Sequence, residues 1–291
     1  MNATRFIVPA LVVLALLVGF PALTQVLYNR HLRQIRRSLQ GGKGQGVFTP
    51  ERVAHLPAPA QRYFRHAIAP GAPLALQVHL TLSGSIKPRP TSPWLPLAGD
   101  EVLRAGEGFV WQARVRSRPG YFVASEHYAS GQGGTRIALF GLLPVANAGR
   151  ADASRSALGR LLIDSIWVPA AFLPGPGVTV EEIDNERFRV AVDAGGEATT
   201  LTFEVDANGR LREVSFLRYG NLTAGGQYTL IPFGITVDAE RTFDGYTIPS
   251  RLRAGWWYGT EYYDESIRLT VESAHLQAEG VGEQRRADGS F

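Results

Sequence analysis

The chain has 291 residues, 45% of them hydrophobic and 10% aromatic, with 32 Gly, 18 Pro and no Cys. This composition excludes a disordered chain, and the missing cysteine excludes disulfides, iron–sulfur clusters, thiolate zinc sites and a thiol nucleophile. The formal net charge of +4 is uneven: seven of the 30 basic residues but only one of the 26 acidic ones fall in the first 52 positions, so residues 53–291 carry a net −2.

A basic cluster beside an apolar segment differs from the spread basic face of a nucleic-acid binder, so no nucleic-acid partner is expected. Only two of the basic residues are lysine, Lys43 and Lys87, the signature of a GC-rich bacterial genome.

Residues 1–5 are a short tail. Phe6–Leu27 is 22 residues without a charge. As a helix it is about 33 Å long, enough for a hydrocarbon core of about 30 Å. Residues 6–28 are therefore read as a transmembrane anchor, with Tyr28 at headgroup depth and Arg30, Arg33, Arg36 and Arg37 at the membrane surface. The rival reading is a cleaved signal peptide, but no A-x-A site closes the run and there is no lipobox cysteine. Placement is in the bacterial cytoplasmic membrane, with a single pass. The flanking charges place the large domain in the cytoplasm, whereas a carrier-like fold places it outside, so the side stays open.

Residues 29–47 form a basic juxtamembrane segment and a linker. Leu32, Ile35 and Leu39 share one face of a short amphipathic helix suited to the membrane surface. The glycine-rich run 41–46 lacks the GK[ST] ending of a phosphate loop and reads as flexible linker. Thr49-Pro50-Glu51 starts a helix, and Ala60–Ile68 is a second short one.

From Leu74 the period changes to two, and residues 48–275 read as one β-rich domain. Leu76, Val78, Leu80, Leu82 and Ile86 alternate with polar residues, as do Phe109, Trp111, Ala113 and Val115. Further strands run through Phe188–Val192, Leu201–Val205, Leu211–Tyr219, Ile235–Phe243, Tyr246–Trp256 and Ile267–Val271. Asp206-Ala207-Asn208-Gly209 and Asp244-Gly245 are hairpin turns. The apolar phase slips between Leu211 and Val214, which predicts a bulge. Asp152–Val168 has helical spacing and is read as a helix lying on the sheet. Residues 276–291 are a polar tail, frayed from Gly280. The fold class is mainly β (α+β): ten to twelve strands in a single large antiparallel, half-open barrel-like sheet with a covering helix.

Four motifs recur in order: Leu56-Pro57-Ala58-Pro59-Ala60-Gln61-Arg62-Tyr63-Phe64, Gly108-Phe109-Val110-Trp111-Gln112-Ala113, Gly141-Leu142-Leu143-Pro144-Val145, and Ile166-Trp167-Val168-Pro169-Ala170-Ala171-Phe172-Leu173-Pro174. Their order and spacing over residues 48–275 resemble an uncharacterised bacterial domain-of-unknown-function family whose members often carry an N-terminal hydrophobic segment. That family is similar in predicted architecture to lipoprotein carriers of the LolA/LolB type. The resemblance implies an incomplete antiparallel barrel closed by helices around an apolar groove, and hence a lipid or other apolar ligand. It supplies no catalytic residues.

Known catalytic patterns are missing. No two of the six histidines stand at i, i+4, and neither H-E-x-x-H nor G-x-S-x-G occurs. Glu126 and His127 are adjacent on a strand and so point to opposite faces. Glu181-Glu182 and Asp264-Glu265 read as solvated turn residues. No catalytic residue, metal or cofactor is assigned.

Aromatic residues remain as the positive signal. Trp94, Trp111, Trp167, Trp256, Trp257 and Tyr258 either pack the core or line a groove between sheet and helix. The reading is a membrane-anchored binding module for a lipid or other apolar ligand. Its alternative is an envelope structural or protein-interaction module with an unidentified protein partner. A third reading, an enzyme on lipid or glycan, requires Glu126, His127, Asp164 or Arg136 to converge.

Overall fold

The computed structural model describes residues 4–41, 46–148, 151–194, 196–223 and 225–277; the side chains of residues 4–18, 148, 194 and 197 lie outside that description. Thirteen strands form one antiparallel sheet: β1 (Gln77–Ile86), β2 (Leu95–Arg104), β3 (Gly108–Ser117), β4 (Gly120–Ala129), β5 (Gln132–Leu139), β6 (Leu143–Ala148), β7 (Val178–Glu182), β8 (Arg187–Ala194), β9 (Glu197–Val205), β10 (Leu211–Gly220), β11 (Thr229–Phe243), β12 (Tyr246–Trp256) and β13 (Asp264–Gln277). The spatial order is β6-β5-β4-β3-β2-β1-β13-β12-β11-β10-β9-β8-β7. The first and last strands pair at the centre, Gln77 opposite Gln277, so two meandering arms spread from one seam. The edges β6 and β7 are consecutive in the chain, and the helix α3 (Ala151–Asp164) lies between them in sequence.

The sheet curls. Strands β5 and β10 are eight steps apart in the order, about 38 Å if the sheet were flat, yet α3 touches both. A helix is only about 10 Å across, so the two arms must wrap toward it. The concave face holds α2 (Ala58–Ala67), α3 and the 3-10 turns Ser165–Trp167 and Pro169–Phe172. Their side chains make one continuous core with Phe64, Leu80, Phe109, Phe188, Phe203 and Ile248. Tyr63 of α2 sits among Phe64, Phe188 and Phe203, and Phe172 meets Phe203 edge to face.

Local chemistry explains most boundaries. Asp244 and Gly245 both take positive φ, the conformation of a two-residue turn whose twist matches a hairpin, and β11 turns into β12 there. The predicted bulge in β10 is present, between Leu211 and Glu213. Pro50–Val53 forms one 3-10 turn, and Thr49 makes no side-chain cap. The predicted helix 152–168 stops at Asp164 and tightens to a 3-10 turn before Pro169. Strand count exceeds expectation because β2, β6 and β7 lack clean alternation. Glu181-Glu182 and Asp264-Glu265 end β7 and begin β13 rather than standing in turns.

The N-terminal segment brings the main rearrangement. The helix α1 runs from Thr4 to Ser38, so the predicted anchor and the juxtamembrane segment form one element. Its face of Leu32, Ile35 and Leu39, which the sequence suits to a membrane surface, packs instead on Val102 of β2 and Val110 of β3, on the convex side of the sheet. Among the described residues no helix is long and apolar enough to cross a membrane. Much of the uncharged run Phe6–Leu27 lies outside the described side chains. Residues 42–45 of the expected linker and 278–291 of the expected tail are also outside the description.

Candidate functional site

Helix α3 is seated on the concave face by small residues. Gly133 of β5 lies against Ala157, where an added Cβ would stand 2.7 Å from the alanine Cβ; on the other side Gly159 lies 3.0 Å, by the same measure, from the Arg218 side chain of β10. This close approach brings five charged side chains together beneath the helix.

Arg160 of α3 is the hub. Its guanidinium bonds Asp164 at 2.8 Å, Glu126 of β4 at 2.7 Å and Glu101 of β2 at 3.3 Å. Arg218 stands 3.9 Å from the other Glu126 oxygen. The Glu101 side chain is fully buried, whereas that of Glu126 is 18% exposed. The alternation of β2 and β4 places both glutamates inward: Glu101 and Glu126 both pair with Trp111 across the strands.

Burial and the neighbouring Asp164 carboxylate push Glu101 well above the ordinary glutamate value, against the pull of Arg160. Burial raises Asp164 too, opposed by Arg160 and Arg218. Burial works against Arg160, but Glu126, Asp164 and Glu101 together hold it protonated. Arg218 is drawn down by burial. Three carboxyl groups and two guanidiniums thus share one buried site, where burial opposes the charged form of Glu101 and Asp164 and the arginines oppose their neutralisation.

The cluster is walled by aromatic rings. Arg160 lies over Phe109 and Trp111 at 5.1 and 4.7 Å, and Arg218 over Phe233 and Trp256 at 4.9 and 5.0 Å. Three buried atoms here, Glu101 Oε1, Trp111 Nε1 and Arg218 Nε, have no hydrogen-bond partner in the protein.

The six aromatic candidates therefore divide. Trp111 and Trp256 meet through the chain Arg160–Glu126–Arg218. Trp167 is sealed in the core, its Nε1 donating to the Pro249 carbonyl at 3.1 Å. Trp94 stacks on Arg268 and Lys87. Trp257, at positive φ just past β12, donates to the Leu222 carbonyl. Tyr258 covers Gly234 and bonds Thr236 at 2.8 Å. Sequence reasoning missed Glu101, Arg160 and Arg218. A signal existed for two of them: Glu101 falls in the apolar phase of Leu97 and Leu103, and Arg160 precedes Asp164 by one helical turn.

One end of the concave face is incompletely covered. Ile86 lies opposite both Leu95 and Ile267, and Ile267 opposite Ala254. Ile86, Leu95, Ile267 and Trp256 pack against the core yet are only partly buried. Trp256 connects this strip to Arg218.

The convex side holds the other two residues of the enzyme reading, His127 and Arg136. Both face α1, opposite Glu126. Tyr28 meets His127 Nδ1 at 3.4 Å, Arg136 lies 4.9 Å from the Tyr28 ring and bonds Thr24 Oγ1 at 3.0 Å, and the His31 ring stands edge-on to His127. Burial and His31 lower His127 below its ordinary value, favouring the neutral ring. Glu126 and Asp164 thus converge on one face, His127 and Arg136 on the other. Of the surface arginines, Arg30, Arg33 and Arg37 are exposed, while Arg36 turns to the sheet and pairs with Asp100. Among the described residues no group of three or more His, Cys, Asp or Glu is placed to hold a metal.

The family model described as "Family of unknown function (DUF6544)" matches residues 46–265, a span of this chain that includes all four sequence motifs. Among solved structures, the chain is similar to a LolA superfamily protein from Nitrosomonas europaea, with 9% identity and a TM-score of 0.39 over 76% of this chain and 93% of that one. It is also similar to a DUF1329 family protein from Desulfovibrio piger, with 8% identity and a TM-score of 0.38 over 71% of this chain and 88% of that one. Such scores are too low to transfer a function. No curated protein matches the chain.

Proposed function

The chain belongs to the DUF6544 family, and from that premise we propose that it is a membrane-anchored module that binds a lipid or other amphipathic ligand at the partly covered end of its concave face. One observation carries the reading. The inward strip of Ile86, Leu95, Ile267 and Trp256 is apolar and only partly covered, and it leads through Trp256 to the charged pair Arg218 and Glu126. An apolar wall ending in a few polar groups suits a molecule with an apolar body and a polar head. The uncharged run Phe6–Leu27 supports the anchor, by length and by lack of charge.

The test uses the full chain, because α1 is packed on the sheet. It is reconstituted into vesicles containing a photoactivatable phosphatidylethanolamine, irradiated and digested. The expected adducts fall on peptides bearing Ile86–Leu97 and Ala254–Ile267 and are lost in Trp256→Ala. Adducts confined to residues 6–27 would refute ligand binding and favour the protein-interaction alternative. Alkaline phosphatase and fluorescent-protein fusions after Phe291 report which side of the membrane carries the domain.

A further inference from the structure

The helix α1 does not leave the sheet at random. Its end at Leu39 lies over β2 and β3, Tyr28 reaches His127 of β4, Thr24 reaches Arg136 of β5, and the helix then touches the edge strand β6. Followed toward its N-terminus, α1 thus crosses the convex face and arrives at the β5–β6 corner. That corner is apolar on its outside. Phe140, Leu142, Leu143 and Val145 are exposed, Leu142 at 52%, and so are Phe20, Leu23, Val26 and Leu27 of α1. The hairpin tip is well held: the Phe140 ring stands edge-on to Tyr121 at 5.7 Å, and the Tyr121 hydroxyl donates to the Phe140 carbonyl.

Basic residues predominate around the corner, and the nearby acid Asp100 is paired with Arg36. From Gly108 to Ala151 the only acid is Glu126, and it is turned into the concave cluster. The adjoining β3–β4 hairpin exposes Arg114, Arg116 and Arg118, and α1 exposes Arg30, Arg33 and Arg37. Exposed apolar side chains ringed by arginines complement a surface of anionic headgroups over hydrocarbon. Strand addition by a second copy is disfavoured, because Pro144 removes an amide donor from β6 and the register breaks between Ile137 and Ala138.

We propose that the β5–β6 hairpin is a second membrane contact, with Phe140, Leu142, Leu143 and Val145 entering the headgroup layer of an anionic bilayer beside α1. The proposal rests on the anchor reading above. Two contacts on one side fix the tilt of the domain, where a single helix would let it swing.

The lack of cysteine makes the test clean. Leu142→Cys and, at the β9–β10 turn, Asn208→Cys are each labelled with an environment-sensitive fluorophore in the full chain. Both are bound to vesicles of phosphatidylcholine with or without phosphatidylglycerol, and quenched with brominated lipid. The expected result is a blue-shifted, lipid-quenched label at 142 and an aqueous one at 208, with quenching at 142 stronger when phosphatidylglycerol is present and weaker for Arg116→Glu/Arg118→Glu. A water-exposed label at 142 on vesicle-bound protein would overturn the hairpin contact and leave the anchor standing. A label shielded from water but out of reach of brominated lipid would overturn it in favour of a second copy. Failure of the chain to float with vesicles would overturn anchor and hairpin together.

Discussion

The two faces of this sheet are covered in different ways. On the concave side α2, α3 and two 3-10 turns merge with both arms into a single core, and an ionic cluster is enclosed within it. On the convex side one helix contributes Leu32, Ile35 and Leu39 to a small separate cluster with Val102 and Val110. Strand β4 shows the contrast within two residues: Glu126 enters the concave network and His127 meets the helix. The lesson concerns cooperativity. Loss of the concave packing separates two arms of the sheet, whereas loss of the convex packing frees one helix and leaves the sheet intact.

The sharpest way to break that contrast is Arg160→Ala. It strands Glu101, Glu126 and Asp164 without their shared partner, and a loss of about 3–5 kcal/mol in global stability is expected in urea unfolding. If α3 were a loose cover, the loss would be under 1 kcal/mol. Leu32→Ala comes next, with about 2–3 kcal/mol of packing removed. Hydrogen exchange should show it as faster exchange in α1 with β8 and β9 unchanged; equal acceleration everywhere would make the two faces one cooperative unit.

The third test is pH. The native state keeps the Glu101 proton above the ordinary glutamate range, while the unfolded chain releases it. Stability therefore falls as pH rises from the ordinary value toward the raised one, by at most about 1.4 kcal/mol per pH unit from this group. Glu101→Gln should remove that share of the slope and match or exceed the natural chain at pH 8; an unchanged slope would assign it to Asp164 or elsewhere. Smallest is Leu217→Ser, on the exposed side of β10, which should shift stability by less than about 0.5 kcal/mol in thermal unfolding.

Much of the architecture was legible because it is written in local pattern. The alternation of Leu80 and Leu82, or of Phe203 and Val205, reports a strand with one face buried, and Asp244-Gly245 reports a turn that few other pairs form. Strand β2 was hidden because Gly99 and Glu101 interrupt its apolar phase. Glu101 breaks the pattern because its partner is a guanidinium from α3. Strands β4 and β5 join at Ser130-Gly131, both at positive φ, a weaker signal than Asn-Gly or Asp-Gly. The site was less legible than the fold: of the six aromatic candidates, Trp111 and Trp256 flank the charged cluster, while the others pack elsewhere.

By itself, then, the sequence determined the class of the fold, its main hairpins, the helix that crosses the concave face and the uncharged N-terminal run, since each depends on residues a few positions apart. Only the tertiary structure decided that α1 packs on the sheet, that β1 pairs with β13, and that Glu101, Glu126, Arg160, Asp164 and Arg218 share one buried site. Those outcomes depend on how far the sheet curls and which small residues let α3 approach it. Such long-range geometry leaves no period in the chain, because charges scattered from position 101 to position 218 acquire partners only when the two arms close around the helix.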